Sequence, residues 1–312
     1  AQHVSRSRAI EVSPEQVVVT PGAKPIMFFA ILALLDAGDE AIYPDPGYPI
    51  YESMISFVGA TPVALPLREE RGFRFAADEF RSLVSDRTRL IILNSPQNPT
   101  GGVLTRQDLE VIAEAAQERD IMILSDEIYD SILYEGEHIS ICSLPGMQSR
   151  TILLHGFSKT YAMTGWRLGF GVMPAELATH ITKLMLNCNS CTAAFTQHAG
   201  IAALEGPQDG TQKMIAAFRK RRDIIAEGLN QIPGFRCARP AGAFYVFPNV
   251  EGTGLSSKAV ADYLLEEAGV AVLDGVGFGR HGDGYLRVSY ANSAANIQRA
   301  LERIEQVIRD RR

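Results

Sequence analysis

Short apolar segments rich in β-branched residues alternate with amphipathic helical segments from Val17 to about Leu204. We predict strands near residues 17–20, 40–43, 62–65, 89–93, 121–125, 150–155 and 168–173, with helices between them. Strands that are separated by helices pair in parallel, and strands buried on both faces read as continuous apolar runs. The sequence therefore predicts an α/β fold of three layers, in which helices cover both faces of a mainly parallel sheet.

The pattern changes near residue 208. Residues 208–230 are rich in Lys, Arg and Ala, with apolar residues at helical spacing, which predicts a long helix that links two domains. After Pro233 the pattern indicates short strands, a helix at 256–268, a strand pair and a terminal helix. We predict a large α/β domain over residues 10–207, a linking helix over 208–232 and a small C-terminal α+β domain over 233–312.

A lysine lies in a turn rich in small and hydroxyl residues, the run Gly-Phe-Ser-Lys-Thr at 156–160, and Arg167 follows on the same run. An amine can form a Schiff base with an aldehyde, and a guanidinium can bind a phosphate dianion. Pyridoxal phosphate carries both an aldehyde and a phosphate group. The alternative is that Ser158 and Lys159 form a surface dipeptide and that Arg167 is a solvated charge.

A second candidate for phosphate binding lies near the beginning of the chain. Gly22, Ala23 and Lys24 connect the strand at 17–20 to an apolar helical run. Their amides are expected to point out of a helix N-terminus, where free N–H groups and the helix dipole stabilise a phosphate. The alternative is an ordinary strand-turn-helix unit with a structural glycine.

Asn98 lies in a rigid turn directly after the predicted strand at 89–93. Ligands of open α/β sheets bind at the carboxyl ends of the strands, and the amide of Asn98 can donate to a phenolate or a carboxylate. The alternative is an ordinary Asn-Pro turn. We predict a cis peptide between Asn98 and Pro99, because the turn must be sharp and an X-Pro bond tolerates cis.

Two further predicted strands each carry a candidate site residue, an acid at the end of one and an arginine within the other. Asp126 ends an apolar strand, where a carboxylate can keep a pyridine nitrogen protonated, and Tyr129 could reach the phenolic oxygen of the same ring. The alternative for Asp126 is a helix N-cap. Arg287 lies among apolar neighbours in an alternating strand and matches a carboxylate in bidentate geometry. The alternative is an edge-strand arginine in a surface ion pair.

Together these five segments resemble the class I and II aminotransferases, the fold-type I pyridoxal phosphate enzymes that include aspartate and aromatic aminotransferases. The resemblance extends from Val17 to the last helix. It implies that Lys159 forms the Schiff base with the cofactor and then moves the proton during the reaction. It also implies that Asp126 pairs with the pyridine nitrogen, and that Asn98 and Tyr129 hold the phenolic oxygen.

The resemblance implies the remaining binding residues as well. Tyr48 matches the aromatic residue that stacks on the cofactor ring, and Arg287, assisted by Asn98, matches the arginine that takes the substrate α-carboxylate. The phosphate would be held by the turn at Gly22, the amides of Ala23 and Lys24, Ser158 and Arg167.

The resemblance favours transamination of an L-amino acid, with aspartate or another dicarboxylic or aromatic amino acid as donor and a 2-oxo acid such as 2-oxoglutarate as acceptor. Lys24 matches a position where one bacterial subgroup places a lysine that meets the substrate side-chain carboxylate; the alternative is a solvated lysine. Two other functions stay open: a β-eliminating lyase on the same fold, and an inactive truncated homologue.

Charge, hydropathy and cysteine content limit the kinds of partner and cofactor that this protein can bind. The 312 residues carry a net charge of -6, which argues against nucleic acid and anionic membranes as partners. No apolar run has the length of a membrane span, and we expect a cytoplasmic protein. Cys188 and Cys191 lack the second pair or the histidines that a metal site needs, so we predict ordinary thiols and no metal. The run Gly275–Gly279 lacks the spacing of a dinucleotide fingerprint, and we predict a loop there.

The start of the sequence differs from the usual pattern of the family. Members normally carry a further N-terminal segment with a glycine-containing substrate loop and a tyrosine that reaches the phosphate of the partner subunit, and nothing here matches it. We therefore expect a longer protein. Because family members complete their sites across a two-fold axis, we also expect a homodimer, with the loop from Asn189 to Thr192 as the segment that reaches the partner.

Overall fold

A seven-stranded sheet forms the centre of the structure, a computed structural model that describes residues 1–311. The strand order is β1-β7-β6-β5-β4-β2-β3. The strands are β1 (Val17–Thr20), β2 (Glu40–Asp45), β3 (Thr61–Pro66), β4 (Thr88–Asn94), β5 (Met122–Asp126), β6 (Thr151–Gly156) and β7 (Gly169–Val172).

Most neighbouring strands of this sheet are parallel. The strands from β3 through β2, β4 and β5 to β6 pair in parallel, whereas β7 is antiparallel to both β6 and β1. The mainly parallel sheet predicted from the sequence is confirmed, and each predicted strand lies within two residues of the observed bounds. The peptide between Asn98 and Pro99 is cis, as predicted.

Helices cover both faces of the sheet. In β4, Leu90 and Ile92 contribute to the core on the α2, α3 and α6 side, and Ile91 and Leu93 contribute to the core on the α4 and α5 side. This alternation follows from the two-residue period of a strand. The helices of this region are α1 (Gln2–Arg8), α2 (Lys24–Leu34), α3 (Ile50–Phe57), α4 (Ala77–Leu83), α5 (Arg106–Glu118), α6 (Ala175–Asn189) and α7 (Ala194–Glu205).

The C-terminal part has its own core. The elements are α8 (Asp209–Gln231), β8 (Tyr245–Val246), α9 (Ser257–Ala268), β9 (Leu273–Asp274), β10 (Leu286–Ser289) and α10 (Ala294–Asp310). The three strands form an antiparallel sheet with β10 in the middle, and the buried face of α8 packs into the same core. These elements follow the order that the sequence predicts for a small domain, and the domain boundaries stay a prediction.

Two local features differ from the expectations. The short helix α1 precedes the first predicted strand; its Val4 packs against the β6 and β7 side of the sheet. Residues Gly275–Phe278 form a 3-10 turn where we predicted a loop. Within residues 1–311, no helix is both long enough and apolar enough to cross a membrane.

Candidate active site

Three adjacent parallel strands bring the predicted site residues together. Asn98 follows β4, Asp126 ends β5 and Lys159 follows β6. The strand register pairs Asn94 of β4 with Asp126 of β5. Because the carboxyl ends of parallel strands meet at one edge of a sheet, the three side chains line one cavity of about 390 Å³. Arg287 reaches the same cavity from the C-terminal part of the chain.

Lys159 lies half-buried in a positively charged environment. Burial lowers the pKa of its amine, and the nearby cations Arg287, Arg167 and Lys24 lower it further, while Asp126 opposes them. Its Nζ lies 5.8 Å from the centroid of the Tyr129 ring. A lowered pKa increases the fraction of the neutral amine, which is the form that acts as a nucleophile or as a base.

The predicted phosphate-binding residues meet at one end of the cavity. Helix α2 begins at Lys24, and the first amides of a helix lack acceptors within it. Gly22 adopts a left-handed φ of +91°, and an added Cβ there would overlap the guanidinium of Arg167. Arg167 is exposed, lines the cavity beside Ser158 and donates to Thr164 O over 2.7 Å. The turn and the guanidinium thus form one small cationic cradle.

Asp126 is held from two sides at the bottom of the cavity. The Tyr51 hydroxyl donates to its Oδ2 over 2.7 Å, and the amide of Ile128 donates to its Oδ1 over 3.2 Å. Burial raises the pKa of Asp126 to about 6, although these hydrogen bonds and nearby His155 act in the opposite direction. A turn follows β5, so Asp126 does not cap an α-helix. The carboxyl group can therefore face a bound ligand.

Tyr129 lines the cavity together with a tyrosine from the C-terminal part. Its hydroxyl oxygen lies 2.9 Å from the hydroxyl oxygen of Tyr245. Burial raises the pKa of Tyr129 well above its usual value, and the adjacent Tyr245 raises it further. Both phenols are therefore neutral near pH 7 and can donate hydrogen bonds.

Arg287 occupies the middle strand of the small sheet, not an edge. Its Nη1 donates to Asn98 Oδ1 over 3.2 Å, and its Cζ lies 4.7 Å from the ring centroids of both Tyr245 and Phe278. The Nε of Arg287 is buried and has no hydrogen-bond partner within residues 1–311. The guanidinium is thus oriented by three neighbours and keeps a donor available for a ligand.

Tyr48 and Lys24 line another side of the cavity. Tyr48 follows β2 and packs edge-on against Tyr51, with ring centroids 5.9 Å apart. The Nζ of Lys24 lies 5.6 Å from the centroid of the Tyr48 ring. Lys24 is exposed and lies among the residues that line the cavity.

A buried ionic cluster lies behind the segment that carries Asp126. Nε of Arg8, from α1, lies 2.9 Å from Glu127 Oε2, and another nitrogen of the same guanidinium pairs with Asp130. His138 also contacts Glu127 over 2.9 Å, and His155 lies 3.0 Å from Asp130 Oδ1. The ring of His155 also packs against Phe170, with ring centroids 5.3 Å apart.

The sequence did not single out several residues that shape the site. Tyr51 lies one helical turn after Tyr48, and this spacing was the available signal. Tyr245 and Arg8 gave no local signal, because their partners are more than one hundred residues away along the chain. Within the part of the chain that the structure describes, no group of three or more His, Cys, Asp or Glu side chains could hold a metal ion.

Comparison with known proteins identifies the family. The family model described as aminotransferase class I and II matches residues 1–304. The chain belongs to this family. It is an enzyme that transfers amino groups, and the fold-type I architecture that the resemblance implied is confirmed.

Relatives match over nearly the whole chain. An aspartate aminotransferase of Pyrococcus abyssi is 38% identical over 100% of this chain and 81% of its own length. An arginine–pyruvate transaminase of Pseudomonas aeruginosa is 41% identical over 97% of this chain and 77% of its own. The crystal structure of an aromatic aminotransferase from Pyrococcus horikoshii OT3 superposes with a TM-score of 0.97, at 39% identity, and covers 100% of this chain and 84% of that one.

Proposed function

We propose that this aminotransferase uses pyridoxal 5′-phosphate, held in the cavity at the carboxyl ends of β4, β5 and β6. The observation that carries the proposal is the donor set: an amine of lowered pKa at Lys159, a buried acid at Asp126 and a cationic cradle at Gly22 and Arg167. When bound, pyridoxal phosphate supplies an aldehyde for the amino group and a ring that accepts electron density.

The residues of the chain supply the remaining functions. Lys159 would supply the neutral amine that engages the aldehyde carbon, and the same amine would then move the proton of the substrate. The carboxylate of Asp126 stabilises a protonated ring nitrogen, and that positive charge in turn favours the ionised form of Asp126. Ser158, Arg167 and the first amides of α2 hold the phosphate group.

The substrate α-carboxylate is proposed to bind Arg287 and Asn98. The side-chain oxygen of Asn98 accepts a hydrogen bond from Arg287, so the amide nitrogen of Asn98 is free to donate to the same carboxylate or to the phenolic oxygen. The unpartnered Nε of Arg287 supports this role, because a buried donor without an acceptor is costly. Tyr129, paired with Tyr245, is the second donor to the phenolic oxygen.

We propose a dicarboxylic donor such as aspartate, with 2-oxoglutarate as acceptor. Lys24 gives the cavity wall a cation for a second carboxylate, and Tyr48 beside it offers an apolar face that also suits an aromatic side chain. The named relatives include an aspartate aminotransferase, and others are named for aromatic amino acids and for arginine, which supports an amino-acid donor without fixing its side chain.

We also propose that the active unit is a cytoplasmic homodimer. Large apolar side chains stay exposed at the end of α6 and on α7, with Leu186 at 55%, Phe195 at 71% and Ile201 at 51% exposure. The loop from Asn189 to Thr192 lies between these two helices. If a partner subunit covers this surface, the loop comes close to the active site of that partner. Light scattering at micromolar concentration should give the mass of a dimer.

A half-reaction separates the three candidate functions. Enzyme loaded with pyridoxal phosphate is mixed with aspartate or, in a separate sample, with O-acetylserine, which carries a leaving group on its β-carbon. Absorbance follows the conversion of the aldehyde cofactor to its amine form. An aminotransferase makes that conversion once per site with aspartate, a β-eliminating lyase releases ammonia and a 2-oxo acid from O-acetylserine on many turnovers, and an inactive homologue does neither. Borohydride reduction and peptide mapping should place the label on Lys159; a label on the exposed Lys183 would refute the assignment.

A further inference from the structure

Asp45 is a buried carboxylate that the proposed reaction does not use. It is the last residue of β2, and its side chain is 1% exposed. Its Oδ1 accepts from the amide of His281 over 3.1 Å, and its Oδ2 lies 2.9 Å from Nδ1 of the same histidine. Burial of a carboxylate is costly unless it is hydrogen-bonded. The two closest polar contacts of the buried Asp45 carboxylate are therefore both made by His281, a residue of the C-terminal part of the chain.

The segment around His281 approaches β2 very closely. Gly279 has a left-handed φ of +120°, and an added Cβ there would overlap Oδ1 of Asp45. The amide of Gly47 donates to Phe278 O over 2.7 Å. Side chain and backbone thus join the end of β2, which leads to Tyr48, to the segment from Phe278 to His281.

This segment also contacts the proposed carboxylate-binding arginine. The Phe278 ring lies 4.7 Å from Cζ of Arg287, on which Tyr245 packs at the same distance. A shift of Phe278 would therefore change the orientation of the guanidinium relative to Asn98. A change in the contact at Asp45 can therefore alter the orientation of Arg287 through the short segment from Phe278 to His281.

We infer that Asp45 and His281 are positioning residues for substrate binding: their contact, here called the Asp45–His281 clasp, fixes Phe278 and through it the guanidinium of Arg287. The inference rests on the proposed transamination, since it assigns the clasp to the α-carboxylate site. The clasp should act on every amino-acid substrate alike, because the α-carboxylate is common to all of them. Cofactor affinity should change little, because the phosphate cradle at Gly22 and Arg167, which supplies the charged contacts, lies on other elements.

The test compares His281→Ala with the wild-type holoenzyme. We expect the KM for aspartate and for phenylalanine to rise by about tenfold, with kcat changed by less than about twofold, as for loss of carboxylate affinity. Calorimetry should show an equal weakening for succinate, a carboxylate that carries no amino group to transfer. The dissociation constant of pyridoxal phosphate should stay within about twofold of the wild-type value.

Three further variants sharpen the comparison. His281→Asn places an amide donor near the position of Nδ1, and it should restore succinate affinity. Arg280→Ala removes a largely exposed cation whose Nε lies 3.9 Å from Asp45, and it should match the wild type. Asp45→Asn should weaken succinate binding, and its combination with His281→Ala should be no worse than the more affected single variant, because both act through one contact.

The outcomes distinguish the inference from the proposed function. Unchanged succinate binding in His281→Ala would overturn the clasp, as would a loss that His281→Asn fails to restore. A lower kcat at unchanged KM would also overturn it, because the defect would then lie outside carboxylate binding. If the wild type binds succinate but transfers no amino group, the proposed function fails, and the succinate series still tests the clasp.

Discussion

Replacement of Arg8 with alanine should destabilise the segment that carries Asp126 and Tyr129. Arg8 is the cation that contacts both Glu127 and Asp130, and all three side chains are almost fully buried, at 11%, 1% and 9% exposure. Removal of one partner from a buried ion pair leaves an uncompensated charge, which typically costs about 3–5 kcal/mol. His138 and His155 remain as partners, so the lower end of that range applies.

The lowered pKa of Glu127 supports the same order of magnitude. Burial alone would raise it, but His138, Arg8 and Ser140 bring it from its usual 4.5 down to about 2. At about 1.4 kcal/mol per pKa unit, this shift is worth about 3 kcal/mol in favour of the folded state. Arg8 supplies part of this amount and also lowers the pKa of Asp130. We therefore expect a loss of about 3 kcal/mol in the free energy of unfolding.

The dependence on pH tests the electrostatic origin of this loss. A carboxylate with a lowered folded-state pKa contributes stability above its unfolded pKa of about 4.5, and this contribution falls as the pH drops towards 2. Urea unfolding of the wild type and Arg8→Ala should therefore show a larger difference at pH 7 than near pH 2.5, close to the folded-state pKa of Glu127. Loss of the guanidinium matters less once the carboxylates take up protons.

Arg6 provides the matched control, because it lies on the same helix and is exposed. Arg6→Ala should change the free energy of unfolding by less than about 0.5 kcal/mol. Combining Arg8→Met with Glu127→Gln should recover part of the loss, because one buried charge is then removed together with its partner. Equal stabilities of Arg8→Ala and Arg6→Ala, or a loss that is the same at pH 7 and near pH 2.5, would refute the reasoning.

Three further outcomes concern the cavity itself. Asp126→Asn should retain pyridoxal phosphate but lower turnover by about 10³-fold or more, because an amide cannot stabilise the protonated ring nitrogen; near-normal turnover would remove that role. Tyr51→Phe deletes one of two hydrogen bonds to Asp126 and should raise the pKa of that acid, visible as a shift in the acid limb of the pH–rate profile; an unshifted limb would contradict it. Lys24→Ala should lower the kcat/KM for aspartate relative to the kcat/KM for phenylalanine by about tenfold or more. Arg287→Ala should lower both values and leave their ratio unchanged. A ratio that Lys24→Ala does not change would show that Lys24 is a solvated lysine.

The sequence predicted those parts of the site that depend on local patterns. Apolar runs located the strands, and the carboxyl ends of three neighbouring strands carry Asn98, Asp126 and Lys159. No distance was needed for this inference, because parallel strands end at one edge of the sheet. The side chain of Arg287 could be recognised because a single charge stood among apolar residues.

Other parts depend on tertiary contacts that leave no local pattern. The helix α1 has only seven residues, too few for a stable isolated helix, and Val4 and Arg8 attach it to the rest of the protein. Tyr245 meets Tyr129 from a strand of only two residues, and His281 meets Asp45 across 236 positions. Such pairs are defined by the way the C-terminal part packs on the sheet.

The ion pairs of Arg8 also impose an order of events during synthesis. Arg8 leaves the ribosome 119 residues before Glu127, an interval of about 6–24 s at 5–20 residues per second. During that interval α1 lacks its anionic partners, and a helix of this length is marginal in water. Helix α1 therefore cannot bind its anionic partners until well after it has been synthesised, and the back of the segment bearing Asp126 is completed only when a much earlier part of the polypeptide returns to it.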